Sequence, residues 1–143
     1  MNRRDLTLVL LAAADGQPYT PVQIQKAAFL ISRNLPDVVN EGLPFSFSAY
    51  DYGPFDAAVY TEAERLQDLG LAYVNQSSSR WRTYGASSEG LDQGRELLSR
   101  LPEPQRDYIQ KVSAWVRSLD FAGLVKSIYE AYPEMRTNSI FNG

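Results

Sequence analysis

The sequence of 143 residues contains no cysteine and no histidine. Those absences exclude the usual zinc sites, disulfides, thiol nucleophiles, Cys-His pairs and Ser-His-Asp triads. Histidine is also the commonest general base and the side chain that changes charge near neutral pH, and here it fills neither role. Hydroxyls, lysines and carboxylates remain, but no segment has the dense oxygen spacing of a calcium-binding loop, so no metal and no cofactor is expected. Positive charge is in short supply as well: 14 Lys and Arg stand against 17 Asp and Glu, a formal charge of -3. Clustered positive charge supplies most of the affinity of proteins that coat nucleic acid, so the balance speaks against that role while leaving room for a local basic patch.

Long apolar runs are missing too, and nothing approaches the roughly 20 residues that span a bilayer, so no membrane association is expected. Leu8 to Ala14 follows Arg3-Arg4 but stops at Asp15-Gly16. Leu6, Val9, Leu10 and Ala13 fall on one helical face, which favours a structural first helix over an export signal. The lack of cysteine fits a reducing compartment, and a cytoplasmic location is expected.

What is present is ordinary for a globular protein: 44% of residues are apolar and 22% charged, enough for one core and one domain over 1–143. The first helix runs from about Arg4 to Ala14. Thr20 then stands as an N-cap with Pro21 at the first helical position of a second helix ending near Asn34. Pro36, Gly42, Pro44, Gly53 and Pro54 punctuate the next stretch, in which Phe45 to Ser48 alternates like a short strand and Gly53-Pro54 breaks regular structure. Phe55, Ala58, Val59, Ala63, Leu66 and Leu69 mark a third helix, with Gly70 as its stop. Leu71–Gln76 and Trp81–Gly85 are β-prone and read as a hairpin with a polar tip of three serines. Three more helices follow, over about Glu89–Leu101, Gln105–Arg117 and Phe121–Tyr132, capped by Ser87 or Ser88 and by Ser118 or Asp120 at the first and last. The tail lacks periodicity, although Ile140-Phe141 is apolar enough to dock.

Helix, helix, helix, hairpin is the order of a winged helix-turn-helix. The expected fold is therefore mainly α (α+β), a winged helix-turn-helix with a two-stranded wing and extra C-terminal helices. Its core spans about 4–86, its helical extension about 87–134 and its tail 135–143. Gln23 to Ile31 (QIQKAAFLI), Tyr50 to Phe55 (YDYGPF) and Leu66 to Leu71 (LQDLGL) also resemble, in that order, the "LQK" helix, the aromatic-Gly-Pro signature and the "LG" helix end of small bacterial proteins of the YwgA and SocA/Panacea type. Leu124 to Glu134 and Asn138-Ser139 share that likeness, whereas Gly85-Ala86-Ser87 stands where such proteins commonly close the wing with Leu-Thr. The resemblance implies a winged-helix-like fold without enzymatic activity, toxin neutralisation as in the Panacea group, or delivery of a toxin to a protease as in the SocA type.

The third helix carries Asp56, Glu62, Glu64 and Asp68 against Arg65 alone, a sum of -3 from Phe55 to Leu69. A helix of that sign gains nothing from a groove lined with phosphate. It reads either as a solvated face or as an acidic surface for a protein. The wing differs: Arg80, Trp81 and Arg82 form an Arg-Trp trio of the kind that dominates interfaces, and Arg80 and Arg82 can also grip a phosphate backbone. Tyr50, Tyr52 and Tyr60 pack a loop onto the core or serve recognition. Tyr52-Gly53-Pro54 is expected at a helix N-terminus, where free N–H groups hold a carboxylate. The expected partner-binding set is thus Tyr50, Tyr52, Pro54, Asp56, Tyr60, Glu64, Asp68, Arg80, Trp81 and Arg82. Together these point to a non-enzymatic adaptor for another protein (a toxin, nuclease or protease-like partner), antitoxin-like or defence-associated. The alternative is a DNA-binding transcription regulator acting through Arg80 and Arg82 in the wing, possible as a homodimer through the C-terminal helices.

Overall fold

Residues 1–38, 45–76 and 82–141 are described by the computed structural model. Asn2 accepts a hydrogen bond from the Asp5 N–H at 2.8 Å and starts α1 (Arg3–Ala13). This helix is apolar well beyond one face: Leu6, Leu8, Val9, Leu10 and Leu11 are all buried. A helix apolar all round belongs inside the domain, and each such side chain contributes about 1.5–3 kcal/mol by leaving water. The four-residue stripe read from the sequence therefore understates α1, which is the central element.

Thr20 and Gln23 form a capping box, Thr20 N–H donating to Gln23 Oε1 at 2.9 Å, and Pro21 opens α2 (Pro21–Asn34). Next come β1 (Ser48–Tyr50) and β2 (Gly53–Phe55), paired antiparallel with Ala49 opposite Pro54. They lead into α3 (Ala58–Asp68). At its end Gly70 N–H donates to Gln67 O at 2.9 Å and Leu71 N–H to Leu66 O at 2.8 Å, the double closure that stops a helix at a glycine. A second hairpin follows, β3 (Ala72–Asn75) with β4 (Thr83–Ala86). Ser87 caps α4 (Ser88–Ser99), Pro102 precedes α5 (Glu103–Ser118), and Asp120 caps α6 (Phe121–Ala131). A 3-10 turn, Pro133–Arg136, ends the regular structure. Among the described residues the chain is thus mainly helical, with two small antiparallel hairpins.

Three expectations need correction. The short strand begins at Ser48 rather than Phe45, and its partner is the Gly53–Phe55 segment that Gly-Pro was expected to break. A two-stranded ribbon leaves one side of each strand without a neighbour, so Pro54, which has no N–H to give, is tolerated there. The third helix consequently starts at Ala58, and Tyr52-Gly53-Pro54 does not form its N-terminus. The C-terminal helices are no appendage: α4 and α5 lie against α1, and α5 lies against α2. Tyr19 ties them together. Its N–H and C=O pair with those of Tyr84 at 2.8 and 2.9 Å, and its hydroxyl donates to Leu10 O at 2.6 Å while accepting from Ser113 Oγ at 2.5 Å.

The second hairpin is locked to α4 at one close approach. Ser87 N–H donates to Leu71 O at 3.1 Å, and a Cβ on Gly90 would lie 1.7 Å from that same carbonyl oxygen. Gly90→Ala must push the hairpin off α4. Even after the gain of about 1 kcal/mol in helix propensity, the substitution is expected to destabilise by about 1–3 kcal/mol. Urea unfolding of the variant beside the parent measures it.

Candidate functional site

Gln25 and Lys26 sit in a helix stretch that is otherwise apolar, from Ile24 to Ile31, and both are buried. Their polar ends meet the main chain of β2 and the residue after it. Gln25 Nε2 donates to Asp56 O at 2.9 Å, and Asp56 N–H donates back to Gln25 Oε1 at 3.0 Å, so one side-chain amide completes the pairing a third strand would supply. Lys26 Nζ donates to Pro54 O at 3.2 Å. Gly53 lets this approach happen: at φ +107 it turns the chain, and a Cβ there would already touch Lys26 Cε and Tyr129 Cε1, each at 3.4 Å. Lys26 is 3% exposed and forms no ion pair among the described residues. Burial pushes its ammonium from the usual 10.5 down to about 7.

Above this floor opens a cavity of about 450 Å³, walled by the start of α2, the first hairpin, Tyr60 of α3 and residues 119–121 at the start of α6. Its wall is largely aromatic. Tyr50 stacks on Phe55 with centroids 5.0 Å apart, Phe55 meets Tyr60 edge-on at 5.9 Å, and Tyr60 stacks on Tyr84 at 5.4 Å. On the other side Tyr52 meets Phe121 edge-on at 4.9 Å. Tyr50 is 52% exposed, and Tyr52 and Phe121 are each 39% exposed, so the rim is open to solvent. Tyr60, by contrast, is half-buried and donates to Pro21 O at 3.3 Å, and burial pushes its phenol up to about 12.

The chain's tail steadies the hairpin from behind. Asn138 Nδ2 donates to Ala49 O at 3.1 Å, Ser139 Oγ to Asp51 O at 3.2 Å and Ile140 N–H to Asp51 O at 3.0 Å. Phe141 packs near Phe121 and Tyr129, whereas the Ile140 side chain stays exposed, so the expected docking is made by Phe141 and by backbone.

Of the acidic residues, Asp56 holds the fold: its carboxylate accepts from Ser46 N–H at 2.6 Å and Ala58 N–H at 2.9 Å. Glu62 is buried and pairs with Arg65 at 3.0 Å. Glu64 and Asp68 remain exposed and follow Tyr60 at steps of four, one face of α3 leading away from the cavity. Arg82 reaches Glu64 at 3.3 Å across the second hairpin. Arg80 and Trp81 lie outside the described residues. The structure therefore brings Tyr50, Tyr52, Tyr60, Glu64, Asp68 and Arg82 to one connected surface and places Pro54 beneath it. The sequence reading missed Gln25, Lys26 and Phe121 as site residues; a Gln-Lys pair inside an apolar helix stretch was the available signal.

Elsewhere several basic side chains pair with acids: Arg33 with Glu134, Arg95 with Asp15, Arg100 with Glu96 and Lys111 with Asp107. Among the described residues no helix is long and apolar enough to cross a membrane. Searches of protein-family models and of curated proteins found no match to this sequence.

The Lys26 shift has a definite sign. Unfolded, the amine keeps its proton up to about pH 10, whereas folded it loses it near 7. Between those values the unfolded state binds more protons, so stability rises with pH, with a slope approaching about 1.4 kcal/mol per unit. Below pH 7 the slope vanishes, and above about pH 10 ionisation of unfolded tyrosines reverses it. Urea melts at about pH 7.5 and 9.5 are expected to show the rise in the parent and not in Lys26→Met. Gln25→Ala, which leaves the half-buried Asp56 N–H without its acceptor while Asp56 O keeps the Val59 N–H, is expected to cost about 1–3 kcal/mol in the same assay.

Proposed function

We propose that this protein is a non-enzymatic winged-helix adaptor that binds a partner polypeptide. Its surface for that partner runs from the aromatic cavity along α3 to the second hairpin. The order α1, α2, α3, β3, β4 supports the winged helix, as does the short pairing of Tyr19 with Tyr84, which adds a third strand position beside the wing. The first hairpin is then an insertion between the second and third helices, and it carries the exposed tyrosines.

One observation carries the binding role: Tyr50, Tyr52 and Phe121 are held at the rim of a preformed cavity and continue into exposed Glu64 and Asp68. Rigid aromatic anchors around a pocket, bordered by charge, are what concentrate binding energy between proteins. The likeness of QIQKAAFLI and YDYGPF to YwgA and SocA/Panacea-type segments supports a toxin-like partner and an antitoxin-like or defence-associated role. Duplex DNA is the less supported ligand, because Arg82 already faces Glu64 and the rest of the α3 face is acidic.

Two measurements test this. In a mixed-sequence duplex titration at physiological salt, binding weaker than about 1 μM is expected; nanomolar affinity that collapses with added salt would establish a DNA regulator instead. A partner retained from the native host is expected to lose about tenfold in affinity with Tyr52→Ala or Glu64→Arg and nothing with Arg100→Ala. Equal loss with all three, or none with any, overturns the assigned surface.

A further inference from the structure

Three features of the cavity bear on what enters it. First, its floor is a buried amine, whose charged form a bound anion would favour. An ammonium has three protons to donate, and Lys26 Nζ gives one to Pro54 O; among the described residues it has no other acceptor and no ion pair. Second, the start of α2 lines the same cavity. Of the free N–H groups there, Gln23 is capped by Thr20 Oγ1 and Ile24 donates to Thr20 O, while Pro21 has none. Val22, at the second helical position, has no intrahelical acceptor, and its N–H sits at the positive end of the helix dipole. Third, the two carboxylates of the wall do not neutralise the floor. Asp120 accepts from Gly123 N–H at 2.7 Å as the cap of α6, and Asp51 is less buried than Lys26. A ligand with a single carboxylate at its tip and an apolar group beside it suits this arrangement, whereas a second acid meets Asp51.

Size and rim decide between sources of such a carboxylate. One turn of helix with its side chains, about 11 Å across and 5.4 Å tall, fills roughly 500 Å³, so a cavity of about 450 Å³ has the size of a few residues of chain rather than of a whole element. A small free acid lying inside would touch only the inner faces of Tyr50, Tyr52 and Phe121 and leave their solvent-exposed edges uncovered. A chain leaving the cavity would cover them.

Building on the polypeptide-binding role proposed above, we infer that the cavity receives the free C-terminus of the partner. The last, apolar side chain lodges among Tyr50, Phe55, Tyr60 and Phe121, and the terminal carboxylate is held by Lys26 and the first turn of α2.

The test uses the intact protein and labelled hexapeptides with varied last residues, each made as a free acid and as its C-terminal amide. Free acids ending in Phe, Leu or Ile are expected to bind, and their amides at least tenfold more weakly. Lys26→Met is expected to abolish the difference between the acid and its amide. The acid–amide comparison on the parent protein stands even where that variant folds poorly. Should acid and amide bind alike, with Tyr52→Ala weakening both, the C-terminal inference falls and the adaptor role survives. Should N-acetylphenylalanine bind as tightly as the best hexapeptide, the site is one for small carboxylic acids and the inference also falls. If no peptide binds in either form, the inference is overturned together with the cavity's part in docking.

Discussion

Two side chains of α2, Gln25 and Lys26, hold the backbone of the first hairpin by its own hydrogen-bonding groups. The residues from Tyr50 to Phe55 are too few, and too rich in Gly and Pro, to form a stable ribbon by themselves. Clamped from a helix that is itself part of the core, the hairpin becomes a fixed wall. Its exposed tyrosines then keep their positions without further contacts in front of them, leaving the cavity open. The opposite wall depends on the same clamp indirectly, since Tyr129 of α6 touches both the Gly53 turn and Ser139 of the tail.

That arrangement accepts an electrostatic cost. A charged amine placed among apolar neighbours with one carbonyl acceptor is disfavoured in its charged form, and a methionine of similar length would fill the space without that penalty. Asp56, by comparison, is well matched: its carboxylate accepts two hydrogen bonds, its carbonyl accepts two and its N–H donates one, joining the loop, α2 and the start of α3. The contrast between a well-satisfied acid just after β2 and an under-satisfied base on α2, bonded to Pro54 of that strand, gives the site its polarity. The field at the floor favours an anion, while the outer face along α3 presents Glu64 and Asp68 with Arg82 beside them.

The acidic character of α3 also divides on inspection of its partners. Asp56 and Glu62 serve the fold, and only Glu64 and Asp68 face outward. Two outward carboxylates with Arg82 between the helix and the second hairpin make a mixed rim rather than a uniformly negative surface. Such a rim sets register and selects against wrong partners more than it adds affinity, whereas the aromatic side supplies buried area.

Much of this protein was legible residue by residue wherever the deciding interaction lies within one turn of chain. Thr20 with Gln23, Ser87 with Gly90, Asp120 with Gly123 and the double closure at Gly70 are all local, so the six helices could be read from spacing and caps, although not the uncapped start of α3. The missing cysteine and histidine likewise bounded the chemistry before any fold was known. Tertiary structure alone decided which side chains share a site, because no local rule links Tyr52 to Phe121, Gln25 to Asp56 or Lys26 to Pro54, pairs separated by up to sixty-nine residues. It also turned Gly53-Pro54 from an interruption into a strand, since that assignment rests on a partner backbone and a helix behind it. A side chain's identity shows what it can donate or accept; only the packed chain determines what stands within reach.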